Sequence, residues 1–260
     1  MTIPKVTWSK DKADAALAPY REAKELASAA RTPEERTELA MLLLHASRIP
    51  GMCPAEKTMH LWMISHNEIP RGDVVEIGTW WGKSALVLLL LARRYGIGNV
   101  LCVDPWSDDE LAQGVPSVDE ASAALSAEEA FEVFKMNLLP YVGTPNTDDD
   151  SDLNYMRMTS LEANEVWRGS VPWQTDEFGQ THYKGIALLH IDGNHAYDKV
   201  KQDIEMWTPL VVPGGWIVLD DYDWRHGDGP RRAANEYLLA HPETMRHFVA
   251  GGAMFVQVPV

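Results

Sequence analysis

Cysteine is scarce in this chain. Of 260 residues only Cys53 and Cys102 are cysteines, and neither belongs to a CxxC or CxxxC pair. A disulfide framework is thereby excluded, and a reduced, cytoplasmic setting is the simple expectation. Long apolar runs are missing as well. The longest, residues 85–92, falls well short of the roughly 20 residues a spanning helix needs, and residues 1–20 lack the apolar core of a signal segment. A soluble chain with no membrane partner is expected. Basic residues are outnumbered: 23 Lys and Arg face 38 Asp and Glu, a formal net charge of −15. Such a surface repels nucleic acid and anionic membranes, which leaves a small or neutral molecule as the expected partner.

What is present is a large apolar fraction, 45% of residues, enough for the core of one α/β domain with a modest extension. Residues 1–70 read as a helical extension. Apolar positions recur at three and four residues over 15–26 and again over 39–44. Thr32-Pro33-Glu34-Glu35 is a helix start, and Pro54-Ala55-Glu56 opens a further helix. This extension is the candidate lid, or the dimer surface of a homo-oligomer.

From residue 71 to 260 the pattern becomes short β-branched runs alternating with helices, which predicts a doubly wound, Rossmann-like parallel sheet. Strands are expected over 74–77, 99–103, 155–158, 185–191 and 216–219, with helices over 84–95, 125–139, 199–207 and 231–239. The runs at 247–249 and 253–258 read as an antiparallel terminal strand pair. Two segments interrupt the alternation within an insertion spanning about 107–183. Residues 144–152 read as an exposed acidic loop, and 167–183 as a loop holding Trp173.

The first chemical signal is the strand, glycine turn and helix around Glu76-Ile77-Gly78-Thr79-Trp80-Trp81-Gly82. Glycines let the backbone approach a ligand, and the helix behind them presents free N–H groups. A dinucleotide site wants G-x-G-x-x-G, whereas here the spacing is G-x-x-x-G with no third glycine. Glu76, just before the turn, would repel a pyrophosphate and suits a cationic group such as a sulfonium. Asp104 ends the following strand, where an acid accepts both ribose hydroxyls. Together they indicate a nucleoside cofactor; a nicotinamide-dependent oxidoreductase is the alternative of a different class.

The peptide from Val74 through Ser84 resembles the EIG-S/T-W-x-G-K/R-S turn of one group of class I S-adenosylmethionine-dependent methyltransferases. That group contains the macrocin-type sugar O-methyltransferases and the cephalosporin-hydroxylase-like proteins. Ile49-Pro50-Gly51-Met52 with Pro54-Ala55-Glu56 is similar to the group's entry helix. His190-Ile191-Asp192-Gly193-Asn194-His195-Ala196-Tyr197 resembles its H-I-D-G-D/N-H-x-Y motif, and residues 210–221 its L-x-P-G-G-x-I-x-x-D-D strand. The resemblance covers roughly 48–240, while 1–47 and 107–183 match nothing in it.

The resemblance implies a seven-stranded sheet and S-adenosylmethionine as cofactor. Glu76, Gly78, Thr79, Gly82 and Ser84 would surround its methionine part and Asp104 its ribose, with Trp106 and Ser160 at the adenine. It also implies a divalent metal, magnesium or a relative, on Asp192, Asp220 and Asp221. Crowded carboxylates at strand ends independently ask for a compensating cation. The metal would bind and acidify a hydroxyl of a sugar or glycosylated natural product. An amine or catechol-type acceptor is the second reading. Some macrocin-type relatives carry an acid where Asn194 stands here, so the role of base shifts to His195, with Asp223 and His226 in reserve. Arg231 and Arg232 are candidate contacts for an acidic acceptor, and Trp80, Trp81, Trp173 and Trp224 candidate stacking surfaces.

Overall fold

A computed structural model describes residues 9–67, 69–110, 113, 115, 126–142, 150–169 and 172–260. Three helices come first: α1 (Lys10–Ala27), α2 (Pro33–Ser47) and α3 (Ala55–Asn67). The start of α2 forms as expected. The Thr32 hydroxyl accepts the Glu35 N–H, the Glu35 carboxylate accepts the Thr32 N–H, and Pro33 occupies the first turn.

The alternating part follows as β1 (Asp73–Ile77), α4 (Lys83–Tyr95), β2 (Val100–Val103), α5 (Ala127–Leu138), β3 (Leu153–Met156) and α6 (Ser160–Arg168). After a short hairpin, β4 (Trp173–Thr175) and β5 (Gly179–Thr181), come β6 (Ile186–Ile191), α7 (Tyr197–Trp207), β7 (Val211–Leu219), α8 (Gly229–Ala240), β8 (Arg246–Ala250) and β9 (Ala253–Gln257).

Seven strands form one sheet in the order β3-β2-β1-β6-β7-β9-β8. Neighbours from β3 to β7 run parallel, and β9 runs antiparallel to both β7 and β8. The central strands are buried along their whole length, as expected of mostly apolar strands covered on both faces, with Glu76 and His190 as buried polar exceptions. The order reverses between β1 and β6, so a crevice opens above the C-terminal ends of those two strands. Gly78 and Asp192 meet there, with the Asp192 N–H donating to the Ile77 carbonyl at 2.8 Å.

The N-terminal helices share this core. Leu39, Leu43, Leu61 and Ile64 pack into the same cluster as Leu86 and Leu88 of α4 and Val74, Leu188 and Trp216 of the sheet. Two local expectations need correcting. Residues 167–183 hold the end of α6 and the antiparallel β4–β5 hairpin, because Asn154 of β3 donates to the Gly179 carbonyl and pulls that segment into register beside the sheet. The strand expected over 216–219 starts earlier, since β7 already begins at Val211, and Gly214 at φ +77 carries an irregularity without ending it. The acidic loop at 144–152 falls mostly outside the described residues.

Candidate active site

A cavity of about 1180 Å³ lies over the crevice. Cofactor pockets usually measure about 300–1,000 Å³, so a cofactor and a second molecule have room side by side. One wall is the glycine turn. A Cβ on Gly78, at φ +84, would come within 2.1 Å of the Asp192 carbonyl oxygen, so only glycine lets β1 and β6 end this close together. Gly82 also has positive φ and caps α4, with Phe134 and Leu138 packed against it outside the cavity. Thr79 and Ser84 line the cavity beside Gly78.

Asp104, at the end of β2, faces the cavity and also organises it. One of its oxygens accepts the Trp80 N–H at 2.9 Å and the other the Trp106 N–H at 2.8 Å. Trp80 and Trp106 both have left-handed backbone, φ 50 and φ 39, and of the described residues outside glycine only Asp221 (φ 54) joins them. All three lie beside this crevice, where strain is tolerated because neighbouring contacts over-determine it. Burial raises the Asp104 carboxyl to about 6 despite the backbone N–H groups that lower it.

Several expected cofactor residues sit elsewhere than foreseen. Trp106 is 1% exposed and faces Phe131, Phe134 and Tyr155, while its indole N–H donates to the Trp80 carbonyl. Its ring serves the core and does not line the cavity. Trp106→Ala is expected to destabilise the fold by about 3–5 kcal/mol, read from denaturant unfolding, as deletion of a buried aromatic does. Ser160 does line the cavity, its hydroxyl accepting the Trp207 indole N–H at 2.8 Å. Glu76 is fully enclosed beneath the turn. One of its oxygens meets His190 Nδ1 at 3.0 Å and the other, Oε2, has no hydrogen-bond partner. Glu76 thus does not itself line the cavity, whereas Asp104 does, where its carboxylate fits a cofactor carrying a ribose.

The cavity lining also carries Asp192, Asp220, Asp221 and His195. Consecutive side chains along a strand point to opposite sides, and the left-handed Asp221 accentuates the split between it and Asp220. Asp221 turns to His195, its Oδ2 at 2.5 Å from Nε2. His195 stacks on Trp224, ring centroids 4.3 Å apart and planes within 10°, while its Nδ1 lies 2.7 Å from the Gln113 side-chain oxygen. Asp220 turns the other way and accepts a hydrogen bond from the ammonium of Lys57, a residue of α3 with no exposure at all. Lys57 Nζ also lies 3.5 Å from Asp192 Oδ2.

These contacts set the charges. Burial alone would lower Lys57, but Asp192 and Asp220 outweigh it and keep the amine protonated. Burial raises Asp220 too, yet the Lys57 charge holds it below the usual carboxylate range. Asp192 goes well above that range, through burial and then the neighbouring Asp220 charge. His190 is raised to about 9: burial opposes its charge, and the Asp220 carboxylate at 3.7 Å and the Glu76 carboxylate at 3.0 Å prevail.

The metal expectation meets a difficulty here. His190, Asp192 and Asp220 bring one ligand atom each within 4.8 Å of one another. Asp221 is not among them, and the carboxylates are not left uncompensated, because an ammonium already bridges two of them. The donor set fits a lysine-neutralised acid pair, not the three-aspartate site expected.

Among the remaining candidates, Asp223, His226, Trp80, Trp81 and Trp224 line the cavity, whereas Trp173 donates to the Tyr155 carbonyl beneath the β4–β5 hairpin. Arg232 lies over the Tyr197 ring and pairs with Glu236, and neither it nor Arg231 reaches the cavity. Sequence reasoning missed Lys57, His190 and Gln113. Lys57 had one signal, since it falls on the helical stripe of Thr58, Leu61, Trp62 and Ser65, the buried side of α3.

The strand order, the acid-clamped glycine turn and the cavity at the switch point define the class I S-adenosylmethionine-dependent methyltransferases. The methyltransferase domain family matches residues 75–222, more than half of the chain, and the chain belongs to it. One relative is the 8-demethyl-8-(2,3-dimethoxy-alpha-L-rhamnosyl)-tetracenomycin-C 4'-O-methyltransferase of Streptomyces olivaceus, 26% identical over 167 residues. The match takes in 64% of this chain and spans 58% of that relative's length, short of two thirds. The O-methyltransferase NovP shares the fold with a TM-score of 0.54 at 17% identity, over 78% of this chain and 80% of its own. The calicheamicin methyltransferase CalS11 does so with a TM-score of 0.50 at 13% identity, over 97% and 94%. Among the described residues no helix is long and apolar enough to cross a membrane.

Proposed function

We propose that this protein transfers a methyl group from S-adenosylmethionine to a hydroxyl of a sugar or glycosylated natural product. The carrying observation is the Asp221–His195 pair in the cavity that the glycine turn also lines. The rhamnosyl-directed O-methyltransferase among the relatives supports the acceptor class. Trp80 and Trp81, stacked at 5.5 Å on the cavity wall, supply an aromatic surface suited to a sugar face.

When bound, S-adenosylmethionine supplies an electrophilic methyl on a sulfonium. The chain supplies position and a proton acceptor. Asp221 accepts from Nε2–H and the Gln113 oxygen accepts from Nδ1–H, so Nδ1 becomes the base once the acceptor displaces Gln113 and that proton has left; Trp224 keeps the ring in its plane. An acceptor hydroxyl that takes the place of the Gln113 oxygen can give its proton to Nδ1 as its oxygen becomes the nucleophile. Asp192, at the mouth of the β1–β6 crevice, is placed to hold a second hydroxyl of the acceptor. A negatively charged surface disfavours nucleic-acid acceptors, in keeping with a small molecule.

Calorimetry tests the cofactor half of this reading: S-adenosylhomocysteine is expected to bind one per chain and NAD not at all. Binding of NAD in preference would replace the proposal with an oxidoreductase.

A further inference from the structure

We infer that the Lys57 ammonium is the resident cation of the acceptor site, standing where a divalent metal was expected, so that the site works without one. The inference rests on the cavity being the acceptor site, although the measurement below does not require turnover.

Four observations carry it. The ammonium has three donors, and it faces Asp220 Oδ2, Asp192 Oδ2 at 3.5 Å and the Met52 carbonyl at 3.5 Å. A buried ammonium is tolerated only with such partners, and these carboxylates are the same ones a metal would need. Asp221 is committed to His195, and His190, with Nδ1 on Glu76, offers only Nε2, 3.7 Å from Asp220, so among the described residues two carboxylates and one ring nitrogen are the metal-ligating groups beside the ammonium. Finally, the lysine is built in. The turn between β8 and β9 puts Gly251, at φ +57, so close that a Cβ there would lie 2.4 Å from the Lys57 backbone nitrogen. A divalent ion on the Asp192 and Asp220 oxygens would face this positive charge at close range in a poorly solvated place.

Lys57 is thus a positioning residue. It holds the Asp192 and Asp220 carboxylates together at the strand ends, and acts on the acceptor through Asp192. This also gives α3 a functional reason to be packed on the methyltransferase domain.

The test is a Mn2+ titration of the chelator-stripped full chain with S-adenosylhomocysteine bound, followed by electron paramagnetic resonance. Wild type is expected to take up no Mn2+ that the Asp192→Asn variant fails to take up, which separates the acidic surface from the site. Lys57→Ala should gain one Mn2+ per chain, lost again in the Lys57→Ala, Asp192→Asn double variant. A wild-type Mn2+ site that disappears in Asp192→Asn overturns the inference. So does a Lys57→Ala protein that keeps its S-adenosylhomocysteine affinity yet acquires no Mn2+. Should Lys57→Ala fail to fold, the wild-type comparison decides alone. Loss of S-adenosylhomocysteine binding by wild type would instead count against the proposed function.

Discussion

His195→Ala is expected to slow methyl transfer by about 10²–10⁴-fold, the usual worth of a positioned general base. Its affinity for S-adenosylhomocysteine should stay within about twofold, since His195 makes no hydrogen bond to Asp104 or the glycine turn and bonds to Gln113 and Asp221 instead. The loss is large because nothing else in reach reproduces the arrangement. Asp221 Oδ2 at 2.5 Å fixes one nitrogen, Trp224 holds the ring plane, and Nδ1 is left pointing at the position now held by the Gln113 oxygen. Asp221→Asn keeps the shape and removes the acceptor-only partner, so the wrong tautomer becomes available. It should show a large fall in kcat with little change in KM. Measured rates for both variants, beside calorimetric affinities, check this. A fall confined to KM would make His195 a binding residue.

Asp104→Ala is expected to weaken S-adenosylhomocysteine binding by more than about 100-fold, from the loss of two charge-assisted hydrogen bonds worth about 1.5–3 kcal/mol each. The same change orphans the Trp80 and Trp106 N–H groups, both on left-handed backbone, so the turn itself should loosen. Asp104→Asn retains one acceptor and should fall between the two. The pH dependence follows from the raised carboxyl. As pH drops through about 6, Asp104 gains a proton, loses acceptor capacity and must donate, so affinity should decline on the acid side and level off above it. An affinity independent of pH from 5 to 8 would take Asp104 out of the ligand's reach, about two units being enough to span that titration.

Much of this site was legible because its parts sit at element ends. Gly78 and Gly82 frame a strand-to-helix turn, and Asp104, Asp192, Asp220 and Asp221 close strands whose apolar runs are unmistakable. A sheet read as parallel already brings such ends to one edge. Side-chain direction was not legible. Adjacent aspartates look like a ligand pair in sequence, yet a strand end sends Asp220 to Lys57 and Asp221 to His195. Trp106 follows Asp104 by two residues and still turns into the core, since Phe131 and Phe134 come from a helix that no local pattern links to it. A lysine on a helix reads as solvated, so Lys57 needed the whole core to be recognised. His190 was hidden by five apolar neighbours in β6. The β4–β5 strands, Trp173–Thr175 and Gly179–Thr181, are short and polar, and form because Asn154 bonds to them rather than from any alternation of their own.

The measurement closest to the central claim is 13C NMR of the product formed from methyl-labelled S-adenosylmethionine and a panel of deoxyhexose glycosides, run with excess chelator. One labelled methyl on a sugar oxygen is expected, undiminished by the chelator and lost in His195→Ala. Label found only on nitrogen, or transfer that survives His195→Ala intact, would contradict it.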